Sequence, residues 1–317
     1  MNRLLQKFDR WINGSEIVFF HEFHKPPFGG GNQFLIALKK QLEMRGLDTG
    51  TNRVGPNTRV CLFNSHCFNF NALRNAADRF NPRFIHRVDG PIGAYRGEDD
   101  GTDRKIWQIN HEIADVTVFQ SEYSLRKHKE MKLEFKNPVI IHNAVDPEIF
   151  NPKGRIGTPD GKRKIRIIAS SWSNNPRKGG PVYKWIEDHL DWDRYEFTFI
   201  GRTRQNFTKI KTIDARPSEE LADILRQHDV FITASQEDPC SNALLEALSC
   251  GLPVVYLNSG GHPELVKDAG EPFASNEESL IALDKVAKDY GRYQSKIQVD
   301  SIERVAERYY ELMRNTD

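Results

Sequence analysis

Short apolar runs alternate with helix-period stretches along nearly the whole chain, and this alternation restricts the fold more than any other feature. In the first half, Ile17–Phe23, Arg59–Asn64, Arg83–Asp89, Val116–Gln120 and Val139–Ala144 read as strands. In the second half, Ile165–Ser170, Glu196–Gly201, Lys209–Ile213, Val230–Ala234 and Val254–Leu257 do the same. Gln33–Arg45, with Phe34, Leu35, Leu38 and Leu42 on one face, typifies the helical stretches between them. Strands that alternate with helices form right-handed crossovers and parallel sheets.

Residues 151–162 are rich in Pro and Gly, lack apolar periodicity and divide the series in two. The expected class is therefore α/β, with two Rossmann-like doubly wound domains facing a central cleft. The expected domains are residues 1–150 and 151–295, followed by a helix within 296–317 that packs back toward the first domain. Such sheets bind ligands beyond the carboxyl ends of their strands, so the cleft is the expected site.

Charge composition excludes some partners. Lys and Arg number 45 against 44 Asp and Glu, a net +1, so no global field attracts nucleic acid. No apolar run approaches the ~20 residues of a membrane span, and the opening residues lack a secretory pattern. A cytoplasmic chain is expected, with Cys61, Cys67, Cys240 and Cys250 as reduced thiols. Arg3, Lys7 and Arg10, interleaved with Leu4, Leu5, Phe8, Trp11 and Ile12, make a short basic amphipathic helix. It either packs on the protein body or touches an anionic membrane surface peripherally through residues 3–12. His21 and His24 lack a third ligand, and the acids of Glu98–Asp103 sit in a polar Gly-containing loop. No metal site is expected.

The segment from Glu237 to Val255 carries the chemistry. Pro239 opens a helix, capped by Asp238 or by Ser241, and Gly251 ends it. Free amides at its start, around Ser241, Asn242 and Ala243, form an anion site aided by the helix dipole. Glu246 lies ~6 Å further along the axis, roughly the reach from a diphosphate to a ribose. Its neighbours Ala243, Leu244, Leu245, Ala247 and Leu248 leave little polar face, so a merely solvated glutamate is the weaker reading.

From Asp238 to Val255, continued by Ser259-Gly-Gly-His-Pro-Glu-Leu-Val266, the chain resembles the donor-site signature of retaining nucleotide-sugar glycosyltransferases. These form the large fourth family, with the two-Rossmann GT-B fold. Their signature is an acid, seven residues, then a glutamate, which selects Asp238 and Glu246. The resemblance implies a ribose contact for Glu246 and a sugar contact for the first acid. That acid is usually glutamate, and Glu237 is the alternative to the shorter Asp238.

Other pieces of the resemblance are shorter. Gly29-Gly30-Gly31 resembles the loop that approaches the donor phosphates. Asn143, Val145 and Asp146 match the end of the family's first domain. Lys178-Gly179 matches the diphosphate-binding pair, while the usual arginine five residues earlier is Ser173 here; Arg177 is the substitute. Main-chain groups near Ile213 are implied at the nucleobase. His86 or Asp89 is implied at the donor sugar, and His66 is an acceptor-pocket candidate. The likeness is continuous from about Ile165 to Ala269.

The implied activity is metal-independent, retaining sugar transfer from a nucleoside diphosphate sugar, with no other cofactor. The acceptor would be a sugar or glycan, a lipid-linked molecule or another small molecule. Two other readings stay open: a nucleotide-sugar 2-epimerase of the same fold and, because Ser173 and Asp238 depart from the pattern, a non-catalytic sugar- or partner-binding protein.

Overall fold

The structure is a computed structural model that describes residues 13–24 and 30–314. The basic stretch 3–12 and Gly29 lie outside the described residues.

The first sheet comprises β1 (Ile17–Phe20), β2 (Thr49–Thr51), β3 (Val60–Asn64), β4 (Arg83–Val88), β5 (Val116–Phe119) and β6 (Pro138–Ile140). Helices α1 (Gly30–Met44), α2 (Phe70–Arg79), α3 (Ile92–Arg96), α4 (Thr102–Ile113) and α5 (Glu122–Glu130) connect them. The second sheet comprises β7 (Ile165–Ser171), β8 (Tyr195–Gly201), β9 (Lys211–Ile213), β10 (Val230–Thr233), β11 (Val254–Leu257) and β12 (Gly270–Phe273). Its helices are α6 (Gly180–His189), α7 (Ser218–Arg226), α8 (Asn242–Ser249), α9 (His262–Val266), α10 (Asn276–Lys288) and α11 (Tyr290–Ser295), before the terminal α12 (Ile302–Arg314).

Both sheets are parallel throughout, in the orders β2-β1-β3-β4-β5-β6 and β12-β11-β10-β7-β8-β9. Their central strands are apolar and buried at nearly every position, as β3 and β10 illustrate, because helices cover both faces. Chain direction reverses between β1 and β3 in one sheet and between β7 and β10 in the other. A crevice opens at such switch points, beyond the strands' carboxyl ends.

No helix or strand occurs between Ile140 and Ile165, a span that contains the polar stretch 151–162. After α11 the chain returns to the first sheet. Ile302, Val305, Ala306, Tyr309 and Met313 of α12 share one core with Phe34, Leu35 and Leu38 of α1. Their 3–4-residue spacing is the stripe by which an amphipathic helix buries one face.

Two strands escape the sequence reading, and both are edges. Thr49–Thr51 has no apolar alternation, and Gly270–Phe273 contains the Gly and Pro that edges tolerate because ladder bonds are needed on one side only. The first strand stops at Phe20 rather than Phe23, and β6 at Ile140 rather than Ala144. All four cysteines are free thiols. Among the described residues, no helix is long and apolar enough to cross a membrane.

Candidate active site

The two switch points face each other across a cavity of about 380 Å³. Gly30, Gly31, Asp89 and Gln120 line it from the first sheet; Lys178, Asp238 and the start of α8 line it from the second. It continues into a recess of about 120 Å³ bounded by Trp172, Ile200, Ala215, Arg216, Leu221 and Glu246. Ser170, Ser171, Asn242 and Ala243 belong to both, so the two spaces form one cleft.

Helix α8 starts at Asn242 with Ser241 as its cap, the Ser241 Oγ accepting from the Leu244 amide at 3.4 Å. Asp238 is therefore not the cap. Its carboxylate is taken by Lys178, with Nζ to Oδ2 at 2.7 Å, and by the Cys240 amide at 3.3 Å. Burial pushes the Asp238 carboxyl up, but the Lys178 ammonium outweighs that and holds it below the ordinary range. Asn242 and Ala243, the first residues of α8, face the cleft beside this pair. A diphosphate placed there would meet an ammonium and a helix N-terminus together.

One turn further along α8, Glu246 faces the recess. Among the described residues nothing hydrogen-bonds its carboxyl. Burial among apolar neighbours pushes its pKa up to about 8. A half-buried carboxyl without a partner, open to a cavity, suits a ligand that brings its own donors.

The opposite wall is built on a buried arginine. Arg87 is fully enclosed and donates to Asp89 at 2.7 Å, Asn64 at 2.5 Å and Asn143 at 2.8 Å. Burial disfavours its charge, and Asp89 more than offsets this. Gln120 also donates to Asp89, Asn143 donates to Gln120 at 3.0 Å, and Asn143 reaches across to Asn242 at 3.0 Å. The network fixes Asp89 at the cavity wall and carries on to the first residue of α8.

Of the two residues considered for the sugar contact, only Asp89 lines the cavity. Successive strand residues point to opposite faces, so His86 turns away from Arg87 and into the core. Its ring stacks on Phe63 at 4.2 Å between centroids, bonds the Ser65 carbonyl and Asn110, and is driven down to about 3 by burial. His86 is a packing residue. His86→Ala is expected to cost about 3 kcal/mol of stability, as ring truncation in a core does, with nucleotide binding by the folded protein unchanged. Thermal unfolding alongside nucleotide titration checks both.

Arg177 does not join Lys178 in the cleft. The turn Pro176–Lys178 is 3₁₀, so neighbours diverge by about a third of a turn. The Arg177 side chain lies against Gly97 of the first sheet's α3–α4 connection instead, where a Cβ on Gly97 would come 2.8 Å from Arg177 Cδ. Glu237 also faces away, accepting from the Tyr123 hydroxyl at 2.5 Å, so Asp238 is the acid in the cavity. Ile213 ends β9 packed on the core, two residues before the recess residue Ala215. His66 is half-buried beside Ser65 and lines neither space.

Gly30 explains itself sterically. A Cβ there would lie 2.1 Å from Asn242 Nδ2, so a side chain would displace the Asn242 amide from its place between α1 and α8. Gly31 would place a Cβ 3.7 Å from Asp89 Oδ2. Sequence reading missed Asn64, Arg87, Tyr95, Gln120, Arg216 and Trp172. Of these, only Arg87 left a mark, as a cation inside an apolar strand.

Residues 188–288 match the family described as glycosyl transferases group 1. Over these residues the chain is similar to that family. The chain is 26% identical over 183 residues to a sulfoquinovosyl transferase of Arabidopsis thaliana, covering 53% of this chain and 36% of that one. It spans about a third of the length of the curated relatives it matches. Among solved structures, sucrose-phosphate synthase from Thermosynechococcus elongatus superposes with a TM-score of 0.73 at 14% identity, over 94% of this chain and 98% of that one. HepE of Anabaena, solved with UDP-glucose, gives 0.70 at 14% identity over 94% and 99%. The two sheets with their helices thus have the GT-B architecture. Its second half includes Asp238 and Glu246, both inside the matched residues.

Proposed function

We propose that this protein transfers a sugar from a nucleoside diphosphate sugar to a hydroxyl of a sugar, lipid-linked or other small acceptor, with retention and without a metal ion. One observation carries the reading: a single cleft holds Lys178, Asp238 and the α8 amides at one end and the unpartnered Glu246 one turn away. The diphosphate lies between Lys178 and the amides of Asn242 and Ala243, the ribose hydroxyls donate to Glu246, and Asp238 and Asp89 flank the sugar. The UDP-glucose bound by HepE, a protein of the same architecture, supports a nucleotide sugar in this cleft.

The pairing of the carboxylates supports retention. Asp89 already accepts from Arg87, Gln120 and Asn64, and Asp238 is tied to Lys178. These contacts stabilise both as ion-paired carboxylates, which makes each a weaker base and nucleophile. The leaving phosphate oxygen is then the remaining base: the C1–phosphate bond breaks, the acceptor oxygen bonds C1 from the same face, and its proton passes to the phosphate. The growing phosphate charge is met by Lys178 and helix amides rather than a metal.

Incubation with UDP-, GDP- and ADP-sugars tests the reading. Nucleotide release that rises with added acceptor is the expected result, and proton NMR should show the product anomer matching the donor. Inversion would overturn the mechanism, and isomerisation without acceptor would favour an epimerase.

A further inference from the structure

Two carboxylates of the second sheet's side grip the start of one first-sheet helix. Glu264, on α9, accepts from the Glu122 amide at 2.8 Å and the Tyr123 amide at 2.7 Å, the first two amides of α5. His142 lies 3.3 Å from the same carboxylate. Burial pushes Glu264 up, yet His142 and the two amides hold it below its ordinary range. Glu237 completes the grip, accepting from the Tyr123 hydroxyl at 2.5 Å with Lys127 at 3.8 Å.

These contacts are joined to the residue that faces the cavity. The Gly261 amide bonds the Asp238 carbonyl at 2.9 Å, and the Glu237 amide bonds Ser259 Oγ at 2.9 Å. The loop of Glu237 and Asp238 and the turn leading to Glu264 are therefore tied to each other. Glu237 itself sits at φ 54, a conformation that residues other than glycine adopt only when their surroundings hold them there. Tyr123 supplies that hold from the other sheet.

We propose that Glu264 and the Tyr123–Glu237 pair form a latch that closes the two halves over the cleft and, in closing, sets Asp238 against Lys178. Tyr123 and Glu264 are positioning residues, acting on the donor through the Asp238 loop; this rests on the donor reading above. A carboxylate at a helix N-terminus is a reversible, directional contact, since opening the cleft returns both the amides and the carboxylate to water. Closure is then finely balanced, and a diphosphate spanning the cleft tips it.

The test uses the full chain carrying Tyr123→Phe and Glu264→Gln together. Small-angle scattering of the nucleotide-free protein should show a larger radius of gyration than wild type, with circular dichroism unchanged. Saturating UDP, GDP or ADP, whichever binds wild type, should restore the wild-type radius. Its dissociation constant should rise about tenfold, because the closed state is less populated before binding. An unchanged radius with unchanged affinity overturns the latch, as does a change confined to the unfolding temperature. Wild-type protein that binds none of the three nucleotides overturns the donor reading alone, since the scattering comparison is made without ligand.

Discussion

Replacing Lys178 with alanine is expected to lower turnover by about 10²–10³-fold, the usual effect of losing one preorganised charge donor at a developing anion. Lys178 is the cation that the structure places in the cleft beside the α8 N-terminus, after Arg177 has turned toward Gly97. The substitution has a second consequence. Lys178 offsets the burial of Asp238, so its loss leaves a buried carboxylate without its counter-ion. That charge either repels the incoming diphosphate or takes up a proton as its pKa rises. Donor affinity should fall along with turnover, and adding Asp238→Asn to Lys178→Ala should recover affinity but not rate. Steady-state kinetics of the two single variants and the double variant read this directly. Near-normal turnover with intact donor affinity would remove Lys178 from the mechanism.

What the sequence disclosed and what it hid divide along a physical line. Central strands such as β3 and β10 declare themselves through unbroken apolar runs, because burial on both faces demands them. Edge strands β2 and β12 need no such run and go unseen. The placing of Glu246 one turn from the α8 amides was legible because a helix fixes that spacing, so a count along the chain is also a distance. Arg177 and His86 misled for the complementary reason. Which way a side chain points from a 3₁₀ turn, or from one side of a strand, depends on a register that spacing alone does not give. Asn64, Gln120 and Asn143 come from three separate stretches and meet only around Arg87. No local pattern marks a network whose members share only the fold.

Glu246→Gln is expected to weaken nucleotide binding by about 10–100-fold, the worth of hydrogen bonds to a charged group, and at the same time to stabilise the free protein. Unfolded, this glutamate loses its proton near 4.5; in the folded free protein burial holds the proton until about 8. Between those values the native state binds the extra proton, so stability falls as pH rises across that window and levels off above it. Glutamine escapes the penalty. Its melting temperature should exceed wild type at pH 8 and match it near pH 4.5. Ribose hydroxyls have the opposite preference to burial. They donate to the carboxylate, favour its charged form and lower its pKa, so nucleotide binding at pH 7 should release a proton. Wild-type affinity should therefore increase from pH 7 to 8, by at most ~10-fold, and the glutamine variant should show no such slope from this position. Calorimetry in two buffers of different ionisation heat measures the proton count, and a thermal-shift series across pH measures the stability. Unchanged nucleotide affinity in Glu246→Gln, with no proton released by wild type, would take the ribose away from Glu246. A gain in stability at pH 8 alone would then mark it as a buried acid without a ligand.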